Sequence, residues 1–416
     1  MTLTASRPAA RLARTLFPGQ FLTRSHGRAA RWGTALAAAG ATLAVTGTPA
    51  LAREMFRRLH GDQFLTGMRR LSWYLRRGWP GIDISQDPVP VFYQELAPRE
   101  LAALRRFLSR RAARLAPDVL QGELCLISAS AALAAFGTPD YPRCLQLFRQ
   151  DAAAALQGAL DAAPVPPASQ PPAAGTPIQQ QFSRPGAEQA LRDTLALLEQ
   201  NGIRAFVLSG TFLGAVREKA ILEHDYDIDL GVIAEETDLE RLEAVLHGSP
   251  PFRCIASACQ TRLERDGSGR LARRDLPVLY KLRHANGTVA DIFLHYREDG
   301  LLWHGSSQYR WDNADFGLAS YPLAGIEVQG PDDAGRYLTE NYGNWQVPKR
   351  DFHCGSDTPN LQLLPNPLSL AQALWQLRLS AGSPRRQALL AQMQRAGHIT
   401  PAADGGWQIP ADLFAP

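Results

Sequence analysis

Two neighbouring segments of this 416-residue chain carry residues suited to binding a metal-bound phosphate. The first reads Ser-Gly-Thr-Phe-Leu-Gly-Ala-Val-Arg over residues 209–217, and the second reads Asp-Tyr-Asp-Ile-Asp over residues 225–229. Asp227 and Asp229 flank a single residue, so on an extended strand both carboxylates point to the same face. Adjacent like charges repel each other, and a cation between them relieves the repulsion. The spacing therefore predicts a metal site.

The first segment has the features of a phosphate cradle. Gly210 has no Cβ to obstruct a phosphate, and a helix that begins near Thr211 would present free backbone N–H groups to an anion. Basic side chains about two turns later could reach a phosphate tail. The candidate substrate-binding residues of this stretch are Ser209, Gly210, Thr211, Gly214, Arg217 and Lys219.

A third carboxylate follows in Val-Ala-Asp-Ile-Phe, residues 289–293. On a neighbouring strand, Asp291 would face the same cavity, and either Asp225 or Asp291 could accept a proton from an attacking hydroxyl. Lys281 could neutralise a leaving phosphate, although a strand lysine is more often simply exposed. Asp227 and Asp229 alone would suit the polar face of an edge strand. The ordered combination of cradle and carboxylates favours catalysis.

These segments resemble the signature of the LicD/fukutin group within the nucleotidyltransferase fold. The resemblance covers roughly residues 187–360 and includes a closing block, Tyr-Leu-Thr-Glu-Asn-Tyr-Gly-Asn-Trp-Gln-Val-Pro, at residues 337–348. It differs at His224 and Tyr226, where the family has a tryptophan and an acid.

The resemblance implies transfer of a phospho-alcohol group, such as phosphocholine or ribitol phosphate, from a CDP-activated donor to a glycan hydroxyl. The product would be a surface polysaccharide or glycoconjugate. It also implies Mg²⁺ or Mn²⁺, which we expect Asp227, Asp229 and Asp291 to hold.

Three alternatives stay open at this point. The domain could transfer a nucleoside monophosphate to a small molecule, or it could be an inactive binding scaffold. The cysteines Cys254 and Cys259, with His353 and Cys354, could form a zinc site.

The pattern around these residues predicts a small mixed sheet with helices against one face, in an α+β fold. Helices are predicted over 187–201, 212–219 and 238–247. Strands are predicted over 204–208, 228–233, 252–257, 277–283 and 288–296. Asn286-Gly287 is a strong hairpin signal between the last two strands.

The front half of the chain has a different, all-helical pattern. Residues 38–59 and 128–150 share a small-residue stretch, then Gly-Thr-Pro, then an amphipathic segment, which predicts helical hairpins of a tetratricopeptide-like module. This module could recruit a protein partner. The predicted domains are a helical module at 1–162, a Pro-rich linker at 163–185, the catalytic domain at 186–365 and a helical extension at 366–416. Its stretch 368–397 is predicted to be helical and to pack on the catalytic domain.

Composition limits the setting. A net charge of +4 does not call for a nucleic-acid partner, and five cysteines without a CxxC pair favour a reducing compartment. The basic, Ala-rich first fifty residues could be a cleaved signal peptide. Because the internal segment 128–150 repeats the pattern of 38–59, a structural role is preferred. We expect a cytoplasmic protein, in solution or at the inner membrane face.

Overall fold

The computed structural model describes most of the chain from residue 117 onward. The described residues are 117–163, 183–223, 225, 227–349, 352 and 354–416, with positions 98, 101, 102, 105 and 109. The first helical repeat at 38–59, most of the predicted linker, His224, Tyr226 and His353 lie outside these residues.

The described elements alternate between a helical part and a sheet-rich part. Helices α1 to α9 are Pro117–Ala135, Tyr141–Asp161, Arg184–Gln200, Ser209–Arg217, Leu239–Gly248, Ala334–Tyr342, Cys354–Asp357, Pro367–Leu379 and Arg385–Arg395. Strands β1 to β12 are Phe206–Val207, Asp227–Ile233, Phe252–Arg265, Leu271–His284, Val289–Glu298, Leu301–Gly305, Tyr309–Ala314, Leu318–Leu323, Ile326–Pro331, Leu361–Leu363, Thr400–Pro401 and Trp407–Gln408.

The chain divides into two compact units, and the first is built from both of its ends. This helical unit comprises Met1–Ala168 with Asn366–Pro416, and the second unit, called here the sheet unit, comprises Ser169–Pro365. Across the described ranges, every helix is too short or too polar to cross a lipid bilayer.

The helical unit contains the predicted internal hairpin. Helices α1 and α2 pack against each other around the turn at Gly137, whose φ of 78° suits glycine. The tetratricopeptide-like arrangement itself stays a prediction, because one described hairpin does not define a repeat.

The C-terminal extension packs on this hairpin. Helix α8 contacts both α1 and α2, and Arg378 forms an ion pair of 3.1 Å with Asp118. The Tyr141 hydroxyl also donates to the Phe414 carbonyl at 2.9 Å. Residues 366–416 therefore form one compact unit with this hairpin, and not the separate extension that the sequence predicts. Helix α8 is buried on nearly every face, and the sequence does not say which helices cover it.

The sheet unit contains the predicted mixed sheet. Among the described strands, eight form one sheet with the order β1-β2-β5-β6-β7-β10, in which β4 also pairs with β5 and β3 with β4. Strands β2 and β5 run parallel, and the other neighbours are antiparallel. The Asn286-Gly287 turn joins β4 to β5 as predicted.

Several predicted boundaries differ from the structure. Strands β3 and β4 are 14 residues each and form a long hairpin, whereas only their halves nearest β5 were predicted. Their outer halves carry charged residues on both faces and lack the alternation that signals a strand. Helix α4 ends at Arg217 because Lys219 takes a left-handed φ of 54°.

Strand β2 separates a polar face from a buried one. Ile228 and Leu230 are fully buried, while Asp227 and Asp229 are half-buried on the opposite face. Gly231 lies on the same face as the two aspartates, and the rings of Phe206 and His295 close over it. The strand thus carries the carboxylates at one end and an aromatic core at the other.

We predict that Gly231→Ala destabilises the sheet unit. A Cβ there would lie 2.5 Å from the Phe206 ring and 2.8 Å from His295 Cε1, so the free energy of unfolding should fall by about 1–3 kcal/mol. Urea denaturation measures the change. Gly248→Ala is the control, since no atom lies within 4 Å of its added Cβ. Equal stability of the two variants would contradict the packing described.

Candidate active site

The parallel pairing of β2 with β5 brings the predicted carboxylates together. Asp229 lies directly beside Asp291 in the register of the two strands. One carboxylate oxygen each from Asp227, Asp229 and Asp291 lies within 4.8 Å of the others. We call these three residues the acid group.

The acid group fits a hard divalent cation. Its donors are carboxylate oxygens, which suit Mg²⁺ or Mn²⁺ better than a soft metal. Two oxygens on opposite sides of one Mg²⁺ would be about 4.2 Å apart, so the observed spacing requires little movement. Within the described residues, the acid group is the one cluster of three or more metal-ligating side chains, and the three cysteines of the proposed zinc site do not converge. His353 of that site lies outside those residues.

Burial and the neighbouring negative charges disfavour ionisation within the acid group. Burial raises the pKa of Asp227 well above its usual value, and the charges of Asp291 and Asp225 raise it further. Burial likewise raises the pKa of Asp229, with Asp227 and Asp225 as the next causes. A raised pKa favours the protonated carboxyl, so protons would compete with a divalent cation for these oxygens.

Lys281 is the basic partner of the acid group. It lies opposite Asp291 on the antiparallel strand β4, and its ammonium donates to Asp291 Oδ2. Burial lowers the pKa of Lys281, but the Asp291 charge and hydrogen bond outweigh it, so the net shift is upward. The lysine therefore stays charged and is not a plain exposed strand residue. Its predicted role toward a leaving phosphate stays a prediction.

The start of helix α4 lies against this acidic site. A Cβ at Gly210 would be 2.7 Å from Asp225 Oδ2, so only glycine leaves this space open. Ser209 has a left-handed φ of 48°, which is uncommon for a residue with a side chain. Thr211 is fully buried, and its hydroxyl oxygen accepts the Asp229 N–H at 2.9 Å.

Three other predicted binding residues have contacts of a different kind. Gly214 is buried, and a Cβ there would lie 2.5 Å from the Ala220 carbonyl, so it allows close packing. Arg217 contacts Glu218 and the Trp345 carbonyl, and Lys219 is exposed. Ser209, Gly210 and Thr211 thus lie at the start of helix α4, whereas Gly214 and Arg217 lie in its later turns and Lys219 follows its end. The predicted substrate binding by these residues stays a prediction. A nine-residue helix is about 14 Å long, so residues in its last turn lie on the order of 10 Å from its N-terminus.

Tyr342 and Cys354 are also close enough to Asp229 for its charge to act on them, and neither was predicted as a residue of the acidic site. The pKa of the Tyr342 phenol is raised first by burial and then by Asp229. The pKa of the Cys354 thiol is raised by the same two causes in the same order. Tyr342 belongs to the closing Tyr-Gly block of the family resemblance, which was the available signal. Cys354 was predicted only as a candidate zinc ligand.

The region that carries this geometry matches a known family. Residues 202–333 match the family model described as LicD/FKTN/FKRP, nucleotidyltransferase domain. They include the cradle, all three members of the acid group and Lys281. This region is a LicD-family domain.

Relatives of the LicD domain come from animals and bacteria. Ribitol-5-phosphate transferase FKTN of Mus musculus is 25% identical over 186 residues, which are 43% of this chain and 37% of that protein. Ribitol 5-phosphate transferase FKRP of Homo sapiens is 26% identical over 176 residues, 40% of this chain and 33% of that protein. An uncharacterized protein of Rickettsia prowazekii is 29% identical over 165 residues, 38% of this chain and 54% of that protein. The chain spans about a third to a half of the length of these relatives.

We predict that Mn²⁺ affinity rises with pH. Because Asp227 and Asp229 have raised pKa values, their protons must leave before the metal binds, and affinity should rise by up to about tenfold per pH unit for each proton released. Electron paramagnetic resonance of free Mn²⁺ at pH 5.5, 6.5 and 7.5 measures this. An affinity independent of pH would contradict the assignment.

The metal-free protein should show the opposite trend. A carboxyl whose folded pKa is raised stabilises the fold below its unfolded pKa of about 4, and this stabilisation is lost as pH rises through the folded pKa. Thermal melts over the same pH range, with a chelator present, should therefore show a smaller loss on raising the pH in Asp229→Asn than in the wild type.

Proposed function

We propose that this protein is a metal-dependent transferase that moves a phospho-alcohol group from a CDP-activated donor to a glycan hydroxyl. The observation that carries the proposal is the convergence of three aspartates beside a glycine cradle inside a LicD domain. The names of two relatives, both ribitol 5-phosphate transferases, support this substrate class.

Each part of the site has a role in this reaction. Asp227, Asp229 and Asp291 would hold Mg²⁺ or Mn²⁺, and the ion would neutralise charge on the donor phosphates. The first N–H groups of helix α4 would bind phosphate oxygens, since Gly210 allows their close approach. Lys281 adds a positive charge on the far side of Asp291.

Asp225 is our choice for the proton acceptor. It lies next to Gly210 and hydrogen-bonds Asp227, but it is not part of the acid group, whereas Asp291 is engaged by Lys281. The acceptor oxygen forms a bond to the transferred phosphorus, the bond from that phosphorus to CMP breaks, and the hydroxyl proton passes to Asp225. This differs from transfer of a nucleoside monophosphate, which would release pyrophosphate from a nucleoside triphosphate.

The proposed reaction bears on the compartment of the protein. Synthesis of a surface glycan from a CDP-activated donor is consistent with the predicted cytoplasmic location, in solution or at the inner membrane face. A protein partner for the helical unit and the absence of a nucleic-acid partner stay predictions.

Product analysis tests the proposed reaction. The protein is incubated with Mn²⁺ and CDP-choline, CDP-ribitol or CDP-glycerol, with candidate glycan acceptors, and CMP is measured by chromatography. We expect CMP with one donor, and a loss of at least about 100-fold in Asp229→Asn because the metal loses a ligand. Asp299→Asn is the control, since this exposed turn residue has a φ of 51° that asparagine tolerates.

The other outcomes separate the remaining functions. Pyrophosphate release from a nucleoside triphosphate would favour transfer of a nucleoside monophosphate. Thermal melting with Mn²⁺ and CDP covers the scaffold alternative, because a ligand at a hundredfold above its dissociation constant stabilises by about 2.7 kcal/mol. A melting temperature that does not respond would favour an inactive scaffold.

We predict that Gly210→Ala separates ligand binding from stability. Alanine should favour the helix by about 0.5–1 kcal/mol, but its Cβ would press on Asp225 and fill the cradle. Gly335→Ala is the matched control, because Gly335 is also the second residue of a nine-residue helix and its added Cβ has no neighbour closer than 3.7 Å. We expect stabilisation by Mn²⁺ and CDP to fall only in Gly210→Ala. An equal response of both variants to Mn²⁺ and CDP would contradict the assignment of Gly210 to the ligand-binding site.

A further inference from the structure

Thr211 belongs to the predicted cradle motif, but its burial does not fit direct binding of a phosphate. It is the third residue of helix α4, and its side chain has no exposed surface, so it cannot itself contact a phosphate. Its hydroxyl oxygen instead accepts the backbone N–H of Asp229 at 2.9 Å. The contact joins the helix of the cradle directly to a member of the acid group.

The backbone around Asp229 shows why this contact is needed. Strands β1 and β2 pair only at Phe206 with Gly231 and at Val207 with Leu230. One residue further, the Leu208 N–H donates to the Asp229 carbonyl at 3.2 Å, as in a continuing ladder. In an antiparallel ladder, the Asp229 N–H would return the bond to the Leu208 carbonyl.

That return bond is lost because helix α4 begins here. The Leu208 carbonyl accepts the Phe212 N–H at 3.0 Å, which is the first hydrogen bond of the helix. The Asp229 N–H would then be a buried donor without its ladder partner, and such donors are costly. The Thr211 hydroxyl takes the place of the Leu208 carbonyl.

From this geometry we propose that Thr211 is a positioning residue for the metal site. Its hydroxyl fixes the Asp229 peptide against the cradle helix, and so sets the position of the Asp229 carboxylate relative to Asp227 and Asp291. The link to metal binding rests on the function proposed above. The hydrogen bond between Thr211 and Asp229 does not.

Three variants of the full chain test the role of the hydroxyl. Thr211→Val keeps the shape but removes the acceptor, whereas Thr211→Ser keeps the acceptor. The control is Thr194→Val in helix α3, where an equally buried hydroxyl donates to the Ala190 carbonyl at 2.6 Å. Mn²⁺ dissociation constants and melting temperatures are measured for each.

We expect Thr211→Val to weaken Mn²⁺ binding by about 10-fold or more, as changes behind metal ligands do. Thr211→Ser should stay within about threefold of the wild type. Thr194→Val should lose thermal stability without a change in Mn²⁺ affinity. If Thr211→Val binds Mn²⁺ as tightly as the wild type, the proposal is wrong. If that variant does not fold, Thr211→Cys replaces it, because a thiol is a weaker acceptor.

Hydrogen exchange separates this proposal from the function on which it rests. If the wild type does not bind Mn²⁺, the proposed metal dependence is wrong. The role of Thr211 is then tested by the exchange rate of the Asp229 amide alone. We expect that amide to exchange at least about 10-fold faster in Thr211→Val than in Thr211→Ser, because its closing bond is gone. Equal exchange rates would overturn the assignment without bearing on catalysis.

Discussion

The parallel pairing of β2 with β5 is the constraint on which the site depends. In its observed register, Asp229 lies beside Asp291 and Ile228 beside Ala290, so one face collects carboxylates and the other collects apolar side chains. A slip of one residue would bury a carboxylate among the apolar side chains and turn an isoleucine toward the acid group. Because burying that charge is costly, the register that stabilises the sheet is also the register that assembles the acid group.

The sheet unit balances the charge it concentrates. Lys281 supplies one positive charge across the strand from Asp291, and the start of helix α4 directs partial positive charge at the same region. Neither offsets the burial and mutual repulsion of these carboxyls, since the pKa values of Asp227 and Asp229 remain raised. The fold therefore stores repulsion that a divalent cation can relieve, which is the usual compromise between stability and function at such sites.

Local patterns predicted the parts of the site that depend on local geometry. The alternation around Ile228 and the turn at Asn286-Gly287 each involve a few adjacent residues, and the structure confirms both. Gly214 and Arg217 follow the cradle motif closely in the sequence. Their contacts with the Ala220 and Trp345 carbonyls could not be predicted, because they depend on how helix α4 packs in the folded unit. The hydroxyl of Thr211 could not be assigned from sequence, because its partner is a backbone group on another element. The outer half of the β3–β4 hairpin and the location of residues 366–416 depend on long-range contacts for the same reason.

The discontinuous helical unit has a consequence for how the chain matures. Helix α8 meets α1 and α2 only after some two hundred intervening residues have been synthesised, whereas β2, β4 and β5 come from one continuous stretch. As the polypeptide leaves the ribosome, the stretch with the LicD domain can form its sheet before α8 is available to cover the apolar surfaces of α1 and α2. Nascent chains interrupted near residue 365 would contain every strand of the eight-stranded sheet, attached to a helical unit that lacks α8 and α9.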